Sequence, residues 1–255
     1  MRGACLDTGT PACDDGMAMR LSSPFSLVRR AFRLFFTPRN FILYLGIGIL
    51  PLGVLLVCVA AASVILPMFA PFVASLFPGG RAEAGTVLML LSGGVLAAFA
   101  LYYIGSFYSA TLYQLHFAVA NGGDIHVREL LRNGWRLAGH LLVVSLLLGL
   151  IILLGFILLI IPGFIFMVWF TFTTIIAVIE PSDTDPFKSS KVMISGRFWP
   201  VVGRLVLFSM LSIIPYTILR EISPIAGTLW SLTSPFFGLL LMLLYIDVKQ
   251  ASVPG

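Results

Sequence analysis

Five polar side chains stand in an otherwise apolar stretch, Tyr102, Ser106, Ser109, Tyr113 and His116, recurring at +4, +3, +4 and +3. That spacing is helical, so the five share one stripe. Hydroxyls and an imidazole buried in a membrane do one of two things. They line a cavity that takes a polar ligand or a lipid headgroup, or they hold one helix against the next, helped by small residues such as Gly105 and Ser109 four apart. Packing needs such a face on every span and is the simpler account. A proton relay would need a chain of titratable groups, and His116 has no second one in its run, so a satisfied interfacial histidine is expected. Thr171, Thr173 and Thr174 are expected to bond back to their own helix.

Recognisable enzyme chemistry is missing. The chain has no H-E-x-x-H, no G-x-S-x-G and no G-x-x-x-x-G-K-[ST]. Asn121-Gly122-Gly123-Asp124 touches the Gly-x-Gly-Asp of intramembrane aspartyl proteases but lacks its first glycine and a second aspartate in a span. It reads as a turn followed by an N-cap at Asp124. Cys5 and Cys13 have no partner at metal-ligand spacing, and Cys58 sits in an apolar run as a packed side chain. A non-enzyme without cofactor or metal is expected.

The elements that must carry the stripe follow from composition. Of 255 residues, 59% are hydrophobic and 11% charged, where a soluble domain carries about 25% charge. A membrane span needs about 20 apolar residues. The apolar runs predict spans at about 41–66, 86–118, 141–160, 164–180, 201–219 and 225–246. The uncharged block Leu141–Ile179 would be roughly 58 Å long as one helix, nearly twice the bilayer core, so it must fold back. Pro162-Gly163, a fixed φ beside a permissive residue, is the expected turn. Residues 1–20 are polar and without period and are expected to be a disordered tail.

Of the 16 basic residues only Arg81 and Arg220 fall in the expected outer segments. This bias places both termini in the cytoplasm of a multi-pass plasma-membrane protein. It also argues against nucleic acid as the reason for the net charge of +5. Three basic amphipathic segments precede span pairs, at about 24–37, 124–137 and 185–199, and are expected to lie in the cytoplasmic interface. In the first, Ser23 and Pro24 start a helix whose Phe25, Val28, Phe32, Phe35 and Phe36 share one face and Arg29, Arg30 and Arg33 another. In the second, Arg128, Arg132 and Arg136 stack at i, i+4 and i+8. The third carries Lys188, Lys191 and Arg197. These cations are candidates for anionic lipid headgroups, each worth about 1 kcal/mol near a charged membrane. The recurring order of interfacial helix, span, turn and span is consistent with a threefold parallel repeat, and equally with any protein obeying the positive-inside rule.

The stretch Leu158-Leu159-Ile160-Ile161-Pro162-Gly163-Phe164, continuing to Val178-Ile179-Glu180, Asp185-Pro186-Phe187-Lys188-Ser189-Ser190-Lys191 and Gly196-Arg197-Phe198-Trp199, resembles the bacterial YciC-like families. They are similar to the membrane domain found beside some glycerophosphodiester phosphodiesterases. The resemblance is close over about 60 residues, with Pro162, Gly163, Glu180, Ser190 and Gly196 as its landmarks. It implies a polytopic bacterial inner-membrane protein without assigned catalytic residues, and no soluble stretch here is long enough for the phosphodiesterase itself. The sequence therefore predicts an all-α polytopic bundle of about six spans and three interfacial helices. The expected role is binding of membrane lipid or a membrane-protein partner in envelope homeostasis, with a permease for a lipid or apolar small molecule as the alternative.

Overall fold

The structure, a computed structural model, describes residues 21–49, 82–180, 183–223 and 233–252, with isolated positions between 50 and 81 and between 224 and 232. The expected tail 1–20, most of the first span and the start of the last lie outside the described residues. The fold is an all-α bundle. Its helices are α1 (Pro24–Phe35), α2 (Ala82–Asn121), α3 (Val127–Leu158), α4 (Ile160–Trp169), α5 (Thr173–Ile179), α6 (Pro186–Ser195), α7 (Phe198–Ile222) and α8 (Ser234–Ser252). Residues 38–49 are also helical. Among the described residues five helical segments are long and apolar enough to cross a membrane: Gly93–Asn121, Val127–Leu158, Ile160–Ile179, Phe198–Ile222 and Ser234–Ser252.

The packing is that of a protein dissolved in lipid. Leu150, Leu153, Leu154, Ile157, Leu158, Ile160 and Ile161 are all exposed, Leu158 at 77%. A water-facing patch of that extent would be an aggregation site, whereas hydrocarbon accepts it. The core gathers instead around α8, whose Leu239, Leu240, Met242, Leu243, Leu244, Tyr245 and Val248 are buried. This helix packs on α1 and α2 and touches α6 and α7. Helices α2 and α3 pair extensively, and α5 lies against both.

Several local devices differ from the sequence expectation. Asn121-Gly122-Gly123-Asp124 closes α2 and does not cap α3. Gly122 adopts φ 66°, and the Gly123 and Gly122 amides donate to Ala118 O (3.0 Å) and Val119 O (3.4 Å), the Schellman pattern that glycine makes accessible. The cap position of α3 is His126, not Asp124. The expected interfacial helix 124–137 is not a separate element: α3 runs unbroken from Val127 to Leu158, because nothing between its basic start and its apolar body breaks the helix. The third segment ends its helix at Ser195, and Phe198 and Trp199 already belong to α7.

The hairpin in the uncharged block turns at Leu159, which is extended (φ −167°, ψ 148°), three residues before the expected Pro162. Pro162 lies in the first turn of α4, where its missing N–H costs nothing. Gly163 is helical too, and its glycine is needed for contact, not for a turn. A Cβ there would meet the Phe156 ring at 2.6 Å, and one on Gly155 would meet Gly163 Cα at 3.0 Å.

The fourth span is itself broken at Phe170–Phe172, between α4 and α5. Ser190, fully buried, reaches in from α6. Its Oγ donates to Trp169 O (2.7 Å) and accepts from the Phe172 amide (3.3 Å). One hydroxyl thus satisfies a carbonyl and an amide freed by the break. Asp185 caps α6 by accepting from the Phe187 and Lys188 amides (3.0 and 3.2 Å), and Gly196 ends that helix.

Candidate functional site

Helix α2 carries the polar stripe past α3 and α5, and the structure divides it. Tyr102, Ser106, Ser109 and Tyr113 line a hollow of about 310 Å³, joined by Gly105 of α2, Leu141 and Ser145 of α3 and Thr174 of α5. The hydroxyls around it are partly occupied: Ser106 Oγ donates to Tyr102 O (3.0 Å), Ser145 Oγ to Leu141 O (2.6 Å), and Thr174 Oγ1 to the Tyr113 hydroxyl (3.3 Å). Thr174 therefore does not bond to its own helix as expected, whereas Thr171 does, through Met167 O (2.8 Å). Bonding within a helix leaves each hydroxyl oxygen free to accept. The hollow thus offers acceptors and aromatic rims inside an apolar wall.

His116 is not part of this hollow. It is buried at 2% exposure, with its ring near Tyr44 (5.4 Å between centroids) and Tyr113 (6.5 Å). It lies directly on Gly238 of α8, where a Cβ would come within 2.5 Å of Cε1. The Pro235 carbonyl bears on it, but neither ring nitrogen makes a well-formed hydrogen bond. The expected satisfied interfacial histidine is instead a core side chain that joins α2 to α8 through the space a glycine leaves.

Two further hollows follow toward the loop that joins α2 to α3. One, of about 470 Å³, is bounded by Gln114, Phe117, Asn133, Arg136, Leu137, Val178 and Ile179. The other, of about 220 Å³, shares Gln114, Phe117, Asn133 and Ile179 and adds Asp124, His126 and Glu129. The Gln114 amide nitrogen is buried and makes no hydrogen bond. Among the described residues, Asp124, Glu129 and Arg136 form no ion pair. Sequence reasoning followed Arg128, Arg132 and Arg136 and missed Gln114, Glu129 and Asn133, although Glu129 and Asn133 recur with Arg136 at helical +4 and +3 spacing.

The other candidate cations divide by task. Arg30 donates to Ala120 O at the end of α2 (3.4 Å), and Arg197 donates to Ala251 O at the end of α8, each suited to a helix C-terminus. Lys191 sits 4.7 Å from the Trp169 ring centroid. Arg29, Arg33, Arg128, Arg132 and Lys188 are exposed. On α1 the face turned to the core is Leu27, Ala31 and Phe35, while Phe25 (78% exposed), Phe32 and Phe36 project outward beside the arginines. Glu180 pairs with Lys249 of α8 and not with Lys188 or Lys191, and it accepts from the Tyr245 hydroxyl at 2.5 Å. Nearby, Asp247 accepts from the Ser22 amide (3.0 Å) and hydroxyl (2.5 Å), and the buried Arg204 donates to Ser22 O.

No protein-family model, no curated protein and no solved structure matches this chain.

Proposed function

We propose that this chain is a non-catalytic membrane module that holds a membrane lipid in the hollows between α2, α3 and α5. The observation that carries the reading is the intramembrane hollow lined by Tyr102, Ser106, Ser109 and Tyr113 together with Ser145 and Thr174. Three helices contribute hydroxyls to one apolar-walled space, which is more than a packing face between two helices needs. The outward phenylalanines of α1 beside Arg29, Arg30 and Arg33 favour an interfacial helix that collects anionic lipid around the module. The basic bias and the YciC-like landmarks favour a bacterial inner-membrane location with cytoplasmic termini and a role in envelope homeostasis, in which a membrane-protein partner has a natural place.

The test is native mass spectrometry of the protein extracted gently from its own membrane. A monomer carrying retained lipid is expected, and the variant Tyr102→Leu/Ser106→Leu/Tyr113→Leu should stay monodisperse and lose it. A wild-type protein with no retained lipid, whether bare or bound only to another protein, sinks the reading.

A second reading, a permease for a lipid or apolar small molecule, is favoured by one observation: the span Ile160–Ile179 is interrupted at Phe170–Phe172. Interrupted helices expose backbone groups to a transported ligand. Here Ser190 already occupies two of those groups, so binding ranks above transport.

A further inference from the structure

The hollows at the α2–α3 loop end bring opposite charges to one place. The larger is bordered by Arg136 and the smaller by Asp124 and Glu129, while Gln114 and Asn133 border both. Among the described residues none of the three is in an ion pair, so all three charges are open to a ligand. None serves as a helix cap with a side-chain hydrogen bond either. The buried Gln114 amide nitrogen is a donor without an acceptor. The arrangement runs from Arg136, Leu137 and Val178 at one hollow, past the shared Gln114 and Asn133 amides, to Asp124 and Glu129 at the other.

The intramembrane hollow lies next along the same three helices. Neighbours Tyr113 and Gln114 on α2, Leu141 and Leu137 on α3, and Thr174 and Val178 on α5 lead from the intramembrane hollow to the interfacial one, each within a single helical turn. From Leu101 to Phe117 the path covers about 24 Å of helix. One leaflet's hydrocarbon is roughly 15 Å deep, half of the bilayer core, so the remainder reaches the headgroup layer. Arg136 stands five residues before the uncharged block that begins at Leu141, about 7 Å along α3, which places it at that level.

We propose that these hollows form a headgroup site for a zwitterionic phospholipid with a free primary ammonium, the phosphoethanolamine type, its phosphate on Arg136 and Gln114 and its ammonium on Asp124 and Glu129. The proposal rests on the lipid-binding reading above and deepens it. The phosphate accepts charge-assisted hydrogen bonds from the guanidinium and the amide. The ammonium has three N–H donors for the carboxylates. A quaternary choline headgroup has no N–H to donate, and a glycerol headgroup brings no positive charge to balance Asp124 and Glu129, so both fit less well. His126 borders the same hollow as the two carboxylates and adds a further polar contact for the headgroup.

The experiment reconstitutes the full chain, stripped of lipid, into nanodiscs of equal parts phosphatidylethanolamine, phosphatidylcholine and phosphatidylglycerol. Retained lipid is then read after gentle extraction by native mass spectrometry, with soluble phosphoethanolamine added in a parallel arm. Retention of the ethanolamine lipid roughly tenfold over either of the others is expected, as for one added charge-assisted contact. The soluble headgroup should not displace it. Asp124→Asn/Glu129→Gln should bring the three lipids level, and Arg136→Gln should lower retention of all of them. These side chains are exposed, so unchanged melting confirms that the variants are folded. Retained lipid with no headgroup preference, or a preference that survives Asp124→Asn/Glu129→Gln, overturns the proposal and leaves the lipid reading standing. Displacement by soluble phosphoethanolamine overturns the assignment to a lipid in favour of the free headgroup. No retained lipid of any kind overturns the proposal together with the reading beneath it.

Discussion

Along α8 the polar groups meet partners: Asp247 holds Ser22, Arg204 closes on the Ser22 carbonyl, and Glu180 takes both the Tyr245 hydroxyl and Lys249. Along α2 and α3 the comparable groups border hollows. Gln114 has an unused donor, and Asp124, Glu129 and Arg136 stand close by without pairing. The two sides share a solvent and a composition, so the difference lies in what each asks of its polar residues. A buried polar group without a partner is expensive, which applies to the Gln114 amide nitrogen. The α8 side uses its groups to hold Ser22, ahead of α1, and Glu180, at the end of α5, to the bundle, and the α2–α3 side leaves its charges outside any ion pair, as the proposed headgroup site requires.

The contrast is sharpest where the two sides meet. At the contact of His116 with Gly238, Gly238→Ala should cost about 1–3 kcal/mol by overpacking, because the buried ring must give way. Gly238→Leu should abolish recovery of monodisperse protein. Thermal unfolding in detergent micelles, followed by size-exclusion chromatography, measures both, and an unperturbed Gly238→Leu would dissolve the picture of a glycine-made seam.

A smaller effect is expected on the closed side. Glu180→Leu leaves the buried Tyr245 hydroxyl and the Lys249 ammonium without their acceptor, at a cost of about 1–3 kcal/mol. The same unfolding assay should show lower stability with lipid retention unchanged. If retention falls and stability holds, the closed side is not merely structural.

The smallest stability change belongs to the open side. Asn133 borders both interfacial hollows, and its side chain makes no hydrogen bond among the described residues. Asn133→Leu should alter stability by no more than about 0.5 kcal/mol while reducing lipid retention severalfold in native mass spectra. A large loss of stability there would mean that the hollow is filled by the protein's own packing.

Much of this was legible in the residues. Hydropathy alone marks the spans, because a backbone in lipid must satisfy its hydrogen bonds within its own helix. Ser23 and Asp185 announce the helices they cap, since their short oxygens reach the amides of the first turn. The stripe Tyr102–Tyr113 can be read from its 3.6-residue period. These are local properties, set by neighbours within one or two turns.

What the residues did not disclose depends on distant partners. Gly163 looks like a turn residue until Phe156 is seen against it. Ser190 looks like a surface serine of a basic helix until it is found bonded within the break of a span some twenty residues earlier. Glu180 has lysines eight and eleven residues away but pairs with Lys249 of α8, a partner that only the tertiary packing brings to it. Whether a hydroxyl stripe packs or lines a space is likewise invisible in one helix. The space takes its lining from α2, α3 and α5 together, so only the packing of three helices distant in sequence decides it.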